Sequence, residues 1–167
     1  MNPVRAYLSG SVQRWHMNPA MARTGQSDAD HQGRCVHLLL VLHPCPSAAL
    51  IRAVATHDGG ELDAGDLSYD FKRQNPGIAA GHAAFEDVAR QAIFGPDPEL
   101  TLDEARWVKL IDRLERACWC LTACPQEYAR PASGWLKAES FLLLTADDLG
   151  CGIAVRGLLH DLKGGLW

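Results

Sequence analysis

The chain has 167 residues, of which 47% are apolar, and this length predicts one compact domain with a core of its own. Its formal net charge is −4, so it lacks the excess positive charge with which proteins bind nucleic-acid polymers. No run reaches the roughly 18 uncharged apolar residues of a membrane span, and residues 1–11 lack the apolar segment of a signal peptide. We therefore expect a cytoplasmic protein without membrane or nucleic-acid partners, whose six cysteines remain thiols.

The first third of the chain carries two helical patterns. A polar start at Ser27 and Asp28, followed by an apolar stretch, predicts a helix over about 28–43 whose first turn holds His31. Ser47 opens the second pattern, and the glycine pair that follows His57–Asp58 ends it. A histidine and an adjacent aspartate therefore stand at a helix end.

Residues 62–81 contain several glycines and a proline but few periodic apolar positions, which predicts a long ordered loop. We expect a helix to resume near His82 and to run to about Phe94. Thr101–Glu104 has the pattern of a capping box and predicts a helix over about 102–123.

Two further helical stretches, about 134–144 and 147–162, complete the chain. No alternating run of β-branched residues bounded by hairpin signals is present, so strand signals are weak throughout. The sequence therefore predicts an all-α fold, a single domain over 1–167 with about six or seven helices.

Histidines and carboxylates recur in a series that matches the ligand preferences of divalent transition metals. The series consists of His31, His57, Asp58, Glu61, Asp66 and Asp112. Each residue also has an ordinary structural interpretation, His31 as an exposed residue at a helix end and Asp112 as an ion-pair partner of Arg116 one helical turn away. Spacing alone leaves both interpretations open.

Short motifs occur in one order along about 100 of the 167 residues: Arg14-Trp15, Asp30-His31, His57-Asp58-Gly59-Gly60-Glu61, Gly65-Asp66, Lys72 and Lys109-x-x-Asp112. This series resembles the HD-domain phosphohydrolases, and among them the bacterial 5′-deoxynucleotidases and the short phage-type dATP triphosphohydrolases. The order and the offsets within the block from residue 57 to residue 72 are more specific than an isolated His-Asp pair. The resemblance therefore implies a compact helical HD domain.

The resemblance implies a Zn²⁺, Co²⁺ or Mn²⁺ ion whose four ligands are His31, His57, Asp58 and Asp112. A second divalent ion, such as Mg²⁺ on the substrate phosphates, is compatible with this site. Glu61 lies one helical turn after His57 and is interpreted as the general base. Asp66 matches the family carboxylate that positions the water or protonates the leaving 5′-oxygen, and an Asx turn that shapes the loop is its alternative.

Further residues are implied to bind the substrate. Arg14, Lys72 and Lys109 occupy phosphate-binding positions of the family, with a solvated surface position as the alternative for each. Trp15 offers a flat face for a nucleobase or else packs in the core, and Met17 would lie near the base edge.

The resemblance thus predicts a metal-dependent enzyme that attacks the α-phosphate of a small-molecule deoxynucleotide. The leading prediction is a dNTP triphosphohydrolase of the dATP type, which yields deoxynucleoside and triphosphate. A 5′-deoxynucleotidase that dephosphorylates dNMPs is one alternative, because metal, water and leaving group are shared between the two reactions. An inactive HD module that binds nucleotides as a sensor is the other. The resemblance also implies a homo-oligomer.

Overall fold

A computed structural model describes residues 1–166 of the chain. These residues contain no strand, only an isolated bridge between Gln13 and Ser27, and the predicted all-α class is confirmed. In chain order, the α-helices are Pro3–Ser9 (α1), Asp28–Leu42 (α2), Ala48–Thr56 (α3), Glu61–Ala64 (α4), Tyr69–Gln74 (α5), Pro76–Phe94 (α6), Leu102–Ala123 (α7), Pro125–Ala129 (α8), Trp135–Asp148 (α9) and Gly152–Gly164 (α10). A 3₁₀ turn, Pro131–Ser133, follows α8.

Six of the helices that the structure describes have nine residues or more, and the other four have four to seven. The long helices account for the predicted number, and the short ones add to it. No helix in residues 1–166 is long and apolar enough to cross a membrane.

Helix α7 begins where its capping box predicts. The Thr101 hydroxyl accepts a hydrogen bond from the Glu104 N–H at 3.2 Å, and the Glu104 carboxylate accepts one from the Thr101 N–H at 2.8 Å. Two of the N–H groups that a helix start leaves without partners are thereby satisfied. The start of this helix is therefore encoded by two residues three positions apart in the sequence.

The prediction of a loop over residues 62–81 is wrong for most of that segment. Helix α5 begins after Ser68, whose hydroxyl accepts a hydrogen bond from the Phe71 N–H at 3.3 Å. Helix α6 begins at Pro76, six residues before the predicted start, because proline at the first helical position loses no hydrogen bond. Gly77 and Gly81 lower its intrinsic helix propensity, and packing against α4 and α5 compensates for this.

The chain packs as two compact units. The first unit comprises Met1–Gly33 and Ala55–Pro98, and the second comprises Arg34–Val54 and the chain from Glu99 onward. In the first unit, α1, α4 and α5 pack against α6, whereas α8, α9 and α10 pack against α7 in the second. The single domain over 1–167 stays a prediction.

The second unit has a conventional apolar core. Leu110, Ile111 and Leu114 line one face of α7 with at most 1% of their surface exposed, and Leu142 and Leu159 are buried on α9 and α10. Burial of each such side chain stabilises the fold by about 1.5–3 kcal/mol. The stability of this unit therefore follows from ordinary hydrophobic packing.

The interior of the first unit is polar. Of the seven polar or charged residues buried within residues 1–166, all but Glu115 belong to this unit: Ser9, Arg14, Gln26, Asp28, His31 and Glu61. Burial of such groups costs free energy unless each finds a partner. The buried polar groups that could form a functional site are therefore concentrated in the first unit.

Candidate metal centre

Three potential ligand atoms converge in the first unit. His31 lies in the first turn of α2 and is completely buried, whereas His57 and Asp58 form the turn directly after α3. The two Nε2 atoms lie 3.1 Å apart, and Asp58 Oδ2 lies 3.4 Å from His31 Nε2 and 3.3 Å from His57 Nε2. Two ligands that share one ion through bonds of about 2.1 Å are separated by roughly 3.0–3.4 Å. The three atoms therefore have the spacing of ligands to a single ion.

The contact between the two imidazoles is also compatible with a hydrogen bond, in which one ring nitrogen donates and the other accepts. Such a bond accounts for the distance between the nitrogens alone. It leaves unexplained why the Asp58 oxygen is almost equidistant from both. Neutral imidazole and carboxylate together form the donor set of Zn²⁺, Co²⁺ and Mn²⁺, so the residues fit a transition-metal ion.

Gly59 and Gly60 allow α6 to pass close to the turn that carries His57 and Asp58. A Cβ atom on Gly59 would lie 2.2 Å from a ring carbon of Phe94, and one on Gly60 would lie 2.1 Å from the main-chain oxygen of Glu86. Neither distance is compatible with a side chain at these positions. The glycine pair in the His-Asp-Gly-Gly-Glu motif is therefore explained by close packing.

Arg14 is buried among the carboxylates of this cluster. Its Nη1 atom lies 3.2 Å from Asp28 Oδ1 and also contacts Asp58 Oδ2. Burial, followed by the charge of Asp58, raises the pKa of Asp28 to about 7, although the Arg14 guanidinium opposes the shift. The guanidinium therefore offsets part of the negative charge here, and its assignment to substrate phosphate stays a prediction.

Glu61 is the first residue of α4, and only 5% of its surface is exposed. Its Oε2 atom is buried without a hydrogen-bond partner in the described chain. Burial, and then the charges of Asp58 and Asp28, raise the pKa of this carboxyl to about 10. Glu61 therefore needs a nearby positive charge before it can accept a proton from water at neutral pH.

Asp66 lies in the short segment between α4 and α5 and contacts the loop that carries Trp15. The Trp15 N–H donates to Asp66 Oδ2 at 3.2 Å, and the Trp15 indole N–H donates to the Gln26 side-chain oxygen at 2.6 Å. Trp15 has a φ of 65°, in the left-handed region that a side chain other than glycine rarely adopts. Only 9% of the surface of Trp15 is exposed, because other residues of the protein pack against most of the ring. Base stacking on this residue stays a prediction.

The other residues implied by the resemblance are divided between the units. Lys72 lies half-buried on α5 and Met17 is 42% exposed, both in the first unit. Lys109 and Asp112 share a face of α7 in the second unit, where Arg116 Nη1 lies 3.9 Å from Asp112 Oδ2. The ion pair weighed as the alternative for Asp112 is thus present, and its assignment as the fourth ligand stays a prediction.

Two residues that the sequence analysis did not predict as site residues support the site. Arg90 donates to the His57 main-chain oxygen at 3.3 Å while two of its nitrogens bind Asp97 at 2.8 and 2.9 Å. His82 Nε2 lies 3.1 and 3.0 Å from the main-chain oxygens of Ala64 and Gly65. Both side chains extend from α6, and no local pattern distinguishes them from ordinary helix-surface residues.

Comparison of the chain with protein-family models, curated proteins and solved structures finds no match. The arrangement of side chains in the first unit and the order of the sequence motifs are therefore the grounds for a functional proposal.

Proposed function

We propose that this protein is a metal-dependent phosphohydrolase that cleaves deoxynucleotides at the α-phosphorus. The substrate is a dNTP of the dATP type, and the products are deoxynucleoside and triphosphate. The convergence of His31, His57 and Asp58 within 3.4 Å carries the proposal. The resemblance of the motif series to the HD-domain phosphohydrolases supplies the reaction class.

The reaction requires a water molecule with a lowered pKa and a polarised phosphoryl group, which a divalent ion bound by these residues supplies. Glu61 accepts a proton from the attacking water once positive charge in the site offsets the charges of Asp58 and Asp28. The water oxygen forms a bond to the α-phosphorus while the bond to the 5′-oxygen breaks. Asp66 passes to that oxygen the proton that Glu61 took from the water, and the deoxynucleoside leaves with a free 5′-hydroxyl.

The resemblance, rather than the structure, assigns the remaining roles. Asp112 is the proposed fourth ligand, and Lys72 and Lys109 balance phosphate charge together with Arg14. Hydrolysis of a deoxynucleoside monophosphate would use the same water and leaving group, since only the distal phosphates differ. Analysis of the products therefore distinguishes between the two substrates.

The test is product analysis on chelator-treated protein reloaded with Co²⁺ or Mn²⁺ and incubated with matched panels of dNTPs and dNMPs. Asp58→Ala removes a proposed ligand. Asp161→Ala is the matched control, because His160–Asp161 is the other His-Asp pair of the chain and is exposed on α10.

Triphosphate released from dNTPs by the wild type and by Asp161→Ala, but not by Asp58→Ala, would support the proposal. Orthophosphate from dNMPs alone would identify a 5′-deoxynucleotidase. Binding of nucleotides without any product would point to the sensor, and neither binding nor product would overturn the nucleotide assignment.

A further inference from the structure

A second group of oxygen ligands adjoins the candidate metal centre. Asp28, Asp58 and Glu61 each offer a carboxylate oxygen, and these oxygens lie within 4.8 Å of one another. Asp28 is completely buried and Glu61 is 5% exposed. All three belong to the first unit. When all three are ionised, carboxylates so close together repel one another unless positive charge lies between them.

Two atoms of this group point to a missing partner. Asp28 Oδ2 and Glu61 Oε2 are both buried without a hydrogen-bond partner among residues 1–166. A buried carboxylate oxygen without a partner costs more free energy than a neutral group would. Arg14 brings one guanidinium to Asp28 and Asp58, which leaves an excess of negative charge when all three acids are ionised.

We propose that Asp28, Asp58 and Glu61 form a second cation site, with Asp58 shared between it and the His31–His57 centre. An all-oxygen set favours a hard divalent ion such as Mg²⁺ or Mn²⁺, whereas the two imidazoles of the first centre favour Zn²⁺ or Co²⁺. The protein alone supplies these ligands, so the ion binds without substrate. A carboxylate has two oxygens, so Glu61 can bind the ion through one and contact water through the other.

The sharpest test counts ions at both centres. The full chain is stripped with a chelator, loaded with one equivalent of Zn²⁺ and titrated with Mn²⁺, and free Mn²⁺ is measured by electron paramagnetic resonance. The wild type is expected to hold one Zn²⁺ and one Mn²⁺. Asp28→Asn and Glu61→Gln are expected to keep Zn²⁺ and to bind Mn²⁺ at least about tenfold more weakly. His57→Gln should instead lose Zn²⁺ and keep Mn²⁺.

Asp70→Asn is the matched control, because Asp70 is an exposed carboxylate of the same unit on α5. It should bind both ions as the wild type does. Asp28→Asn removes a charge partner of buried Arg14, so its fold is checked by circular dichroism, and Glu61→Gln repeats the test without touching that pair.

A wild type that binds no Mn²⁺ beside Zn²⁺ would overturn the second site. So would undiminished Mn²⁺ binding by Glu61→Gln, or loss of Mn²⁺ in Asp70→Asn. None of these measurements depends on catalysis, so a negative result is distinct from a failure of the proposed hydrolase activity.

Discussion

The Nε2 atoms of His31 and His57 lie 3.1 Å apart, although 26 positions separate the two histidines along the chain. His31 lies in the first turn of one helix and His57 directly follows another, so neither helix alone creates the contact. Both imidazoles also lie within 3.4 Å of Asp58 Oδ2. This relationship makes metal binding measurable through the stability of the fold.

Metal should stabilise the folded protein. At Zn²⁺ or Co²⁺ concentrations about 100 times the dissociation constant, binding adds about 2.7 kcal/mol, which raises the melting temperature by roughly 5–10 °C for a chain of this size. His57→Gln should abolish the increase, whereas His160→Gln, a change at an exposed histidine of α10, should retain it. Differential scanning fluorimetry measures the shift, and an equal increase in His57→Gln would contradict the assigned ligand.

Gly60→Ala should destabilise the first unit. Its Cβ would lie 2.1 Å from the Glu86 main-chain oxygen, and relief of this overlap should cost about 1–3 kcal/mol. Gly81→Ala is the control, because no neighbouring atom lies within 4 Å of a Cβ built at this position of α6. That substitution should stabilise the helix by about 0.4–1 kcal/mol. Urea unfolding distinguishes the two, and equal midpoints would contradict the close approach of α6.

The capping box of α7 should contribute stability in a pH-dependent way. Hydrogen bonds from Ser47 and then from Thr101 hold the pKa of Glu104 below its usual range. A lowered pKa in the folded state means that this contribution is present above the usual range and is lost as the pH falls through the folded-state pKa. The stability advantage of the wild type over Glu104→Gln should therefore shrink on acidification.

Urea unfolding of both proteins between pH 3 and 7 measures this difference. Glu99→Gln serves as the matched control, since it removes an exposed carboxylate just before the same helix. A difference between wild type and Glu104→Gln that does not change with pH would be inconsistent with the ionised cap.

Met17 should influence base preference if the hydrolase proposal is correct. Its side chain is 42% exposed and lies two residues after Trp15, at the position implied to meet the base edge. Met17→Ala should change the ratio of kcat/KM for dATP and 2-amino-dATP by about tenfold, the lower end of the range for small changes in an apolar pocket. Val4→Ala, which shortens an exposed apolar side chain of the same unit, should leave the ratio unchanged. An unaltered ratio in Met17→Ala would remove this residue from the base site.

Local signals predicted some elements well and others poorly. Thr101 and Glu104 mark the start of α7 because their reciprocal hydrogen bonds involve only neighbouring residues. The start of α6 escaped prediction because Gly77 and Gly81 resemble loop residues, although Pro76 is a recognised residue for the first helical position. Contact with α4 and α5 outweighs the low helix propensity of these glycines.

The candidate site was likewise only partly predictable. His31, His57 and Asp58 were chosen from the order and spacing of motifs, and the structure brings these three together. Asp28 was interpreted as part of a polar helix start, because an aspartate at a helix N-terminus commonly has that role. Its complete burial beside Arg14 has no local signature.

The amino-acid sequence by itself determined the helical class, the bounds of α7 and the residue types available for a metal centre, because caps, periodicity and side-chain chemistry are local properties. Only the tertiary structure decided which of those residues meet. The separation of His31 from His57, and the burial of Asp28 and Glu61 with unsatisfied oxygens, depend on helix packing. Packing sets the distance, dielectric and charge around each group, and these determine whether a carboxylate caps a helix or binds an ion.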